Sequence, residues 1–173
     1  MNLTFRRATA ADIPMLVELV TSAYRGDASR TGWTTEADLL DGARIDAERL
    51  AADIERPRSV ILLGEAGGET LACAHVAVED GAGYFGMFSV RPSLQGQGIG
   101  KAMLDEAERI ARDEFAQAAM RMTVIDVRDE LIAYYARRGY RRTGLHKPFP
   151  YGDERFGIPK RDDLRFEVLE KTL

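Results

Sequence analysis

Cysteine and histidine are almost absent from this chain: in 173 residues there is one cysteine, Cys73, and two histidines, His75 and His146. A single cysteine excludes an intramolecular disulfide, and Cys73 with two distant histidines makes a poor set of zinc ligands, so no metal is expected. Also missing is any run of roughly 18 to 20 apolar residues, the length a membrane-spanning helix needs. The opening Met1–Arg7 lacks the order of charge and apolar run found in a signal peptide. A cytoplasmic protein with no membrane partner is the expectation. There is no cationic excess either: 24 Lys and Arg against 28 Asp and Glu give a formal charge of −4, which disfavours nucleic acid as partner or substrate.

What is present fits one globular unit spanning 1–173, because 45% apolar and 30% charged residues in a chain of this length can bury a sizeable core. A short strand at 3–7 precedes a helix in which Ile13, Leu16, Val17, Val20 and Tyr24 recur at helical spacing, with Thr9 or Asp12 as cap; Pro14 favours Asp12. A loop at 25–34 leads to a second helix carrying Ala47, Leu50, Ala51 and Ile54 on one face and closed by Arg56-Pro57. Strand-like runs at 59–63, 71–78 and 83–90, divided by Gly67-Gly68 and Asp80-Gly81, predict an antiparallel meander. Then come a helix burying Met103, Ala107, Ile110 and Ala111, a strand at 120–127, a helix at 129–138 stopped by Gly139, and a strand at 140–145. Residues 146–163 read as a long loop and 164–169 as a last strand. The order is that of an α/β (α+β) layered fold.

The most informative segment is Val90-Arg91-Pro92-Ser93-Leu94-Gln95-Gly96-Gln97-Gly98-Ile99-Gly100-Lys101, at a strand-to-helix junction. Glycines let the main chain approach an anion, and the first-turn N–H groups of the helix supply donors without side chains. Two familiar phosphate loops fail on spacing. A dinucleotide turn needs G-x-G-x-x-G, whereas Gly96, Gly98 and Gly100 are evenly spaced; a Walker A loop needs glycine where Gln95 stands and Ser or Thr where Ala102 stands.

The segment does match Q/R-x-x-G-x-G/A, met by Gln95, Gly98 and Gly100. It follows a hydrophobic-x-V-x-P strand end, Phe88-Ser89-Val90-Arg91-Pro92, and precedes Y-x-x-x-G-Y, Tyr135-Ala136-Arg137-Arg138-Gly139-Tyr140. In these motifs, their order and the order of elements, the chain resembles the Gcn5-related N-acetyltransferases (GNAT). The resemblance implies the GNAT fold, a mixed, mostly antiparallel twisted sheet of six to seven strands flanked by about four helices. It implies acetyl-CoA as cosubstrate, held by main chain at Phe88, Ser89 and Val90 and by the loop residues Gln95, Gly96, Gln97, Gly98, Ile99, Gly100 and Lys101. The N–H of Ser89 or Val90 would polarise the thioester carbonyl. Arg128 stands where such proteins often carry Asn, and would take over a cofactor contact.

The same resemblance implies Tyr135 as the acid that protonates departing thiolate, with Tyr134 as the neighbouring alternative. A base is needed because a lysine-like amine with pKa about 10.4 pays roughly 4 to 5 kcal/mol to lose its proton at pH 7. Glu79, Asp126, His75 and His146 are candidates, each with an ordinary structural role as alternative; Asp126 is preferred because it shares a strand face with Met122 and Val124 near where strands should part. The acceptor pocket is expected between the loops 24–36 and 146–163, involving Tyr24, Trp33, Glu79, His146 and Phe149. With Asp27, Glu36, Asp153 and Glu154 nearby, an aromatic and acidic lining would suit a cationic amine, although the aromatics serve equally to fasten two long loops.

The function implied is acetyl transfer to a primary amine of a small molecule or amino-acid-like metabolite. Two alternatives stand beside it: a protein or peptide amine acetyltransferase, and a non-catalytic CoA-binding sensor module. Members of the family often form homodimers, but nothing in this sequence fixes an oligomeric state.

Overall fold

The central strands are apolar at nearly every position because helices cover both of their faces. The computed structural model describes residues 2–25, 30, 35–41, 44–153 and 157–173. In chain order the elements are β1 (Thr4–Arg7), α1 (Ile13–Tyr24), β2 (Leu40–Asp41), α2 (Ala47–Glu55), β3 (Ser59–Ala66), β4 (Glu69–Glu79), β5 (Ala82–Val90), α3 (Ile99–Arg109), β6 (Ala119–Ile125), α4 (Asp129–Ala136), β7 (Arg141–Pro148), β8 (Ile158–Pro159) and β9 (Arg165–Thr172). Side chains alternate across a strand, so Ile61 and Leu63 of β3 and Cys73 of β4 pack with Leu16, Leu19 and Val20 of α1 and Leu50 of α2. Leu62, Ala72, Ala74 and Val76 point the other way, into Met103, Leu104 and Ala107 on one stripe of α3 and Ile110 in the turn that continues it.

Seven strands form one mixed, mostly antiparallel sheet in the order β1-β3-β4-β5-β6-β9-β7, within the six to seven expected, and β2 and β8 make a separate antiparallel pair. The β3–β4–β5 meander is as expected. Asp12 holds the N-cap position of α1 without capping it through its side chain, which accepts instead from the Thr9 N–H at 2.8 Å and from Arg6; Pro14 sits in the first turn, where a missing N–H costs nothing. Asp46 caps α2 by accepting from the Arg49 N–H at 2.8 Å. Among the described residues no helix is long and apolar enough to cross a membrane.

Two departures from expectation bear on the site. β7 runs to Pro148, so His146 belongs to a strand paired with Glu167 of β9 rather than to a loop. Residues 40–41 and 158–159 pair with each other, which closes the segment after α1 against the segment after β7.

Candidate active site

The site begins where the sheet comes apart. β5 and β6 are its parallel neighbours, and they pair only at Gly83↔Met120 and Tyr84↔Arg121, after which they separate. On the other side β5 breaks register with β4 between Cys73 and His75, and Met87 takes a positive φ of 51°, the mark of a bulge that swings main chain 87–88 out of the ladder. Tyr24, at the end of α1, fixes this bend by donating its hydroxyl to the Phe88 carbonyl at 2.6 Å. Burial pushes the Tyr24 hydroxyl up to about 12. An unfolded tyrosine ionises near pH 10, so the stability Tyr24 contributes is complete below that pH and is lost as pH rises toward 12. Urea midpoints should therefore fall above pH 10, and less steeply in Tyr24→Phe.

A cleft of about 180 Å3 opens between the end of β5 and α4, walled by Phe88, Ser89 and Val90, by Gln95, Gly96, Gly98, Gly100 and Lys101, and by Tyr134, Tyr135 and Arg138 from α4 and its end. The glycines have separate jobs. Gly96 (φ 83°) and Gly98 (φ 82°) adopt the left-handed conformation that β-carbon-bearing residues resist, and Gly98 starts α3. Gly100 gives room: a β-carbon there would stand 2.7 Å from the Tyr134 hydroxyl and 3.1 Å from the Phe88 ring. Gln95 folds back to donate to the Val90 carbonyl at 3.2 Å, tying loop to strand. Lys101, Arg128 and Arg138 line the cleft with no carboxylate among its lining residues, and α3 points its N-terminus at it. Arg138, which sequence reasoning did not assign, lays its guanidinium 3.7 Å from the Tyr134 ring centroid. Gln97 is exposed and Ile99 is buried in the core, and neither lines the cleft.

A second cavity of about 200 Å3 lies in the gap between β5 and β6, bounded by the α1 end and the β6–α4 junction. It shares Tyr24, Phe88, Arg128, Leu131 and Tyr135 with the cleft, so the two meet there. Tyr135 is buried in a ring cluster, 5.3 Å from Tyr134 and 6.0 Å from Tyr140 between centroids, yet its hydroxyl makes no hydrogen bond among the described residues. Burial, reinforced by Tyr24 and Tyr134, pushes that hydroxyl well above the usual tyrosine range and keeps it protonated.

Between the cavities lies a buried ion triad. Glu36 takes Arg25 on one carboxylate oxygen and Arg128 on the other, the latter at 2.9 Å, and all three side chains are buried. Burial would raise the Glu36 carboxyl, but the guanidinium groups of Arg128 and Arg25 outweigh it and hold it below the usual range. Arg128 thus joins the α1 side to the α4 side while facing both cavities.

The expected acceptor residues divide. Tyr24 and Phe149 line the second cavity, Phe149 packed on Phe166 at 5.7 Å. Trp33, Asp27 and Glu154 lie outside the described residues. Glu79 does not line this cavity; it pairs with Arg56 at 2.9 Å and borders a separate hollow with Arg121 and Lys147. His146 is likewise outside, turned toward Glu167 at 3.5 Å and Asp126 at 3.9 Å by its place in β7. Asp126 lines neither cavity: Arg165 of β9 engages its carboxylate. Of the four candidate bases only His75 lines the second cavity, with Asp53 Oδ2 3.8 Å from its Nδ1 and Ser59 Oγ 2.8 Å from its Nε2. Of the acids expected around the acceptor, Glu36 lines the second cavity but is paired with Arg25 and Arg128, Asp153 lines neither cavity, and Asp27 and Glu154 are not among the described residues.

No curated protein matches the sequence. Solved structures share the fold at low identity. A ribosomal-protein-alanine N-acetyltransferase from Brucella melitensis superposes with a TM-score of 0.71 at 20% identity, covering 98% of this chain and 99% of that one. A GNAT family acetyltransferase from Elizabethkingia anophelis with acetyl-CoA bound gives 0.69 at 18%, covering 99% of each chain. A PaiA N-acetyltransferase from Thermoplasma acidophilum in complex with coenzyme A gives 0.68 at 15%, covering 100% of each. Residues 15–140, which hold the glycine loop, the splayed strands and Tyr135, match the acetyltransferase (GNAT) family. The chain belongs to the acetyltransferase (GNAT) family.

Proposed function

We propose that this acetyltransferase uses acetyl-CoA to acetylate a primary amine of a small molecule or amino-acid-like metabolite, by direct attack of the amine on the thioester, with residues 1–173 acting as one domain. The observation that carries the reading is the meeting of two cavities at Tyr135, whose hydroxyl is without a protein partner among the described residues. One cavity has the glycine loop, helix N-terminus and three cations that a pyrophosphate needs. The other is a cavity of about 200 Å3, suited to a compact acceptor. A cytoplasmic place of action belongs to this reading, and the buried free thiol of Cys73 is compatible with a reducing compartment.

Bound acetyl-CoA supplies an acetyl group activated as a thioester; a C–N bond replaces the C–S bond and CoA departs as its thiol. Main-chain N–H groups at Ser89 and Val90, next to the bulge, are the donors available to the carbonyl oxygen. Tyr135 holds a proton at Oη for the departing sulfur, and its raised value means the proton is present throughout the working range. The rate should accordingly show no alkaline limb from Tyr135 up to pH 10, as a kcat profile in overlapping buffers would test. Burial also lowers the His75 imidazole and keeps it neutral near pH 7, leaving it able to accept the amine proton through water.

The donor half is tested by melting temperature with acetyl-CoA, NADH or ATP. A ligand at a hundred times its dissociation constant stabilises by about 2.7 kcal/mol, a shift of several degrees. A shift with acetyl-CoA alone, abolished in Gly100→Val by contact with Tyr134 and Phe88, supports the site; no shift at saturation contradicts it.

A further inference from the structure

Among the described residues that line it, the acceptor cavity carries more positive charge than the carboxylates balance. Arg25, Arg44, Arg49 and Arg128 line it, against Glu36 and Asp53. Glu36 is committed to Arg25 and Arg128, and Asp53 faces Arg56 at 3.5 Å and His75 at 3.8 Å. Arg44 makes no direct ion pair with either carboxylate, although its charge helps hold the Glu36 carboxyl down. Among the described residues no hydrogen bond or ion pair engages its guanidinium, whose nearest described aromatic neighbour is Tyr24, 5.0 Å from ring centroid to the guanidinium carbon. An arginine of this kind presents a planar fork of N–H donors that matches a carboxylate bidentately.

We infer that the acceptor is an amine that also bears a carboxylate, and that Arg44 holds this carboxylate in the acceptor cavity. This rests on the acetyl-transfer reading and narrows it to the amino-acid class. The placement is consistent with a compact molecule: Arg44 lies over the ring whose hydroxyl is bonded to the Phe88 carbonyl, at the mouth of the donor cleft. Arg44 lines only the acceptor cavity, so the phosphates of the donor, placed at the α3 end, are not what it serves. A polyamine would meet four guanidinium groups against two carboxylates and be repelled.

The test compares thiol release from acetyl-CoA with the common amino acids, with their methyl esters, and with aliphatic diamines, for the wild-type protein, Arg44→Gln and Arg44→Lys. Calorimetry with acetyl-CoA monitors each variant, and an unchanged dissociation constant shows that fold and donor site are intact. The expected result is a wild-type preference for the best free amino acid over its ester of about 100-fold in kcat/KM, the scale of a buried charge pair. Arg44→Gln should erase the preference, mainly through KM, and Arg44→Lys should restore part of it. Esters or diamines used as well as free amino acids by the wild type, or a preference unmoved in Arg44→Gln, would overturn the inference while leaving acetyl transfer standing. Acetyl-CoA binding with no thiol released by any of these amines would instead bring down the transfer reading, and this one with it.

Discussion

Replacing Tyr135 by Phe should lower kcat by about 100- to 10,000-fold, the usual worth of a positioned acid, while the melting temperature and the affinity for acetyl-CoA stay near wild type. The two halves of this expectation come from separate observations. The ring sits in a packed cluster with Tyr134 and Tyr140, which Phe preserves. The hydroxyl has no partner to lose among the described residues and lies where donor cleft and acceptor cavity join. If Tyr135 were only a core aromatic, Phe would be silent in both assays. Tyr134→Phe is the internal comparison. That hydroxyl lies against the Gly100 position and its ring under Arg138, so its loss should change the KM for acetyl-CoA more than kcat.

The largest expected effect on stability is at Glu36. Removing one partner of a buried ion pair costs roughly 3 to 5 kcal/mol, because the charges left behind are uncompensated. Glu36→Ala leaves two buried guanidinium groups, Arg25 and Arg128, facing each other without their carboxylate. For a chain of this size about 1 kcal/mol moves the melting temperature by 2 to 4 °C, so a fall of roughly 6 to 20 °C should appear in calorimetry. Lys101→Ala, which breaks an exposed pair with Asp105, should change it by about 2 °C or less. Glu36→Gln falls between, since the amide can still accept hydrogen bonds but balances no charge. If Glu36 instead existed to hold a cationic acceptor, its loss would cost substrate affinity and spare the fold.

The parts of this architecture that follow from local pattern were legible in the sequence. β3 to β5 and the buried stripes of α1 and α3 announce themselves by period, and the turns between strands by Gly67-Gly68 and Asp80-Gly81. The donor loop was legible for a stricter reason. Its chemistry is made by backbone, and Gly96, Gly98 and Gly100 are the residues that such backbone requires.

What was not legible depends on partners distant in sequence. Asp126 falls next to a strand face shared with Met122 and Val124, but Arg165 from β9 claims it, and no pattern near Asp126 foretells that pairing. By pattern His146 reads as loop, because Pro148 and Pro150 hide the last residues of β7, whose ladder with β9 continues to Pro148. The β2–β8 pair is two residues long on each side, too short for alternation to register. The pairing of Glu36 has the same cause: the fold brings Arg128 to it from 92 positions away, so an acid that lies near aromatics in the sequence carries two arginines in the structure.

The central claim is that an amine and the thioester react where the two cavities meet. It is tested most directly by mixing protein with acetyl-CoA in a single turnover, with and without a mixture of the common amino acids, and following free thiol and N-acetylated product together. The account predicts that thiol appears with an equal amount of N-acetylated amine, only when amine is added, and that Tyr135→Phe slows both equally. Thiol release independent of amine, or bound acetyl-CoA that stays intact with every amine in the mixture, would contradict it and leave a CoA-binding module without transfer.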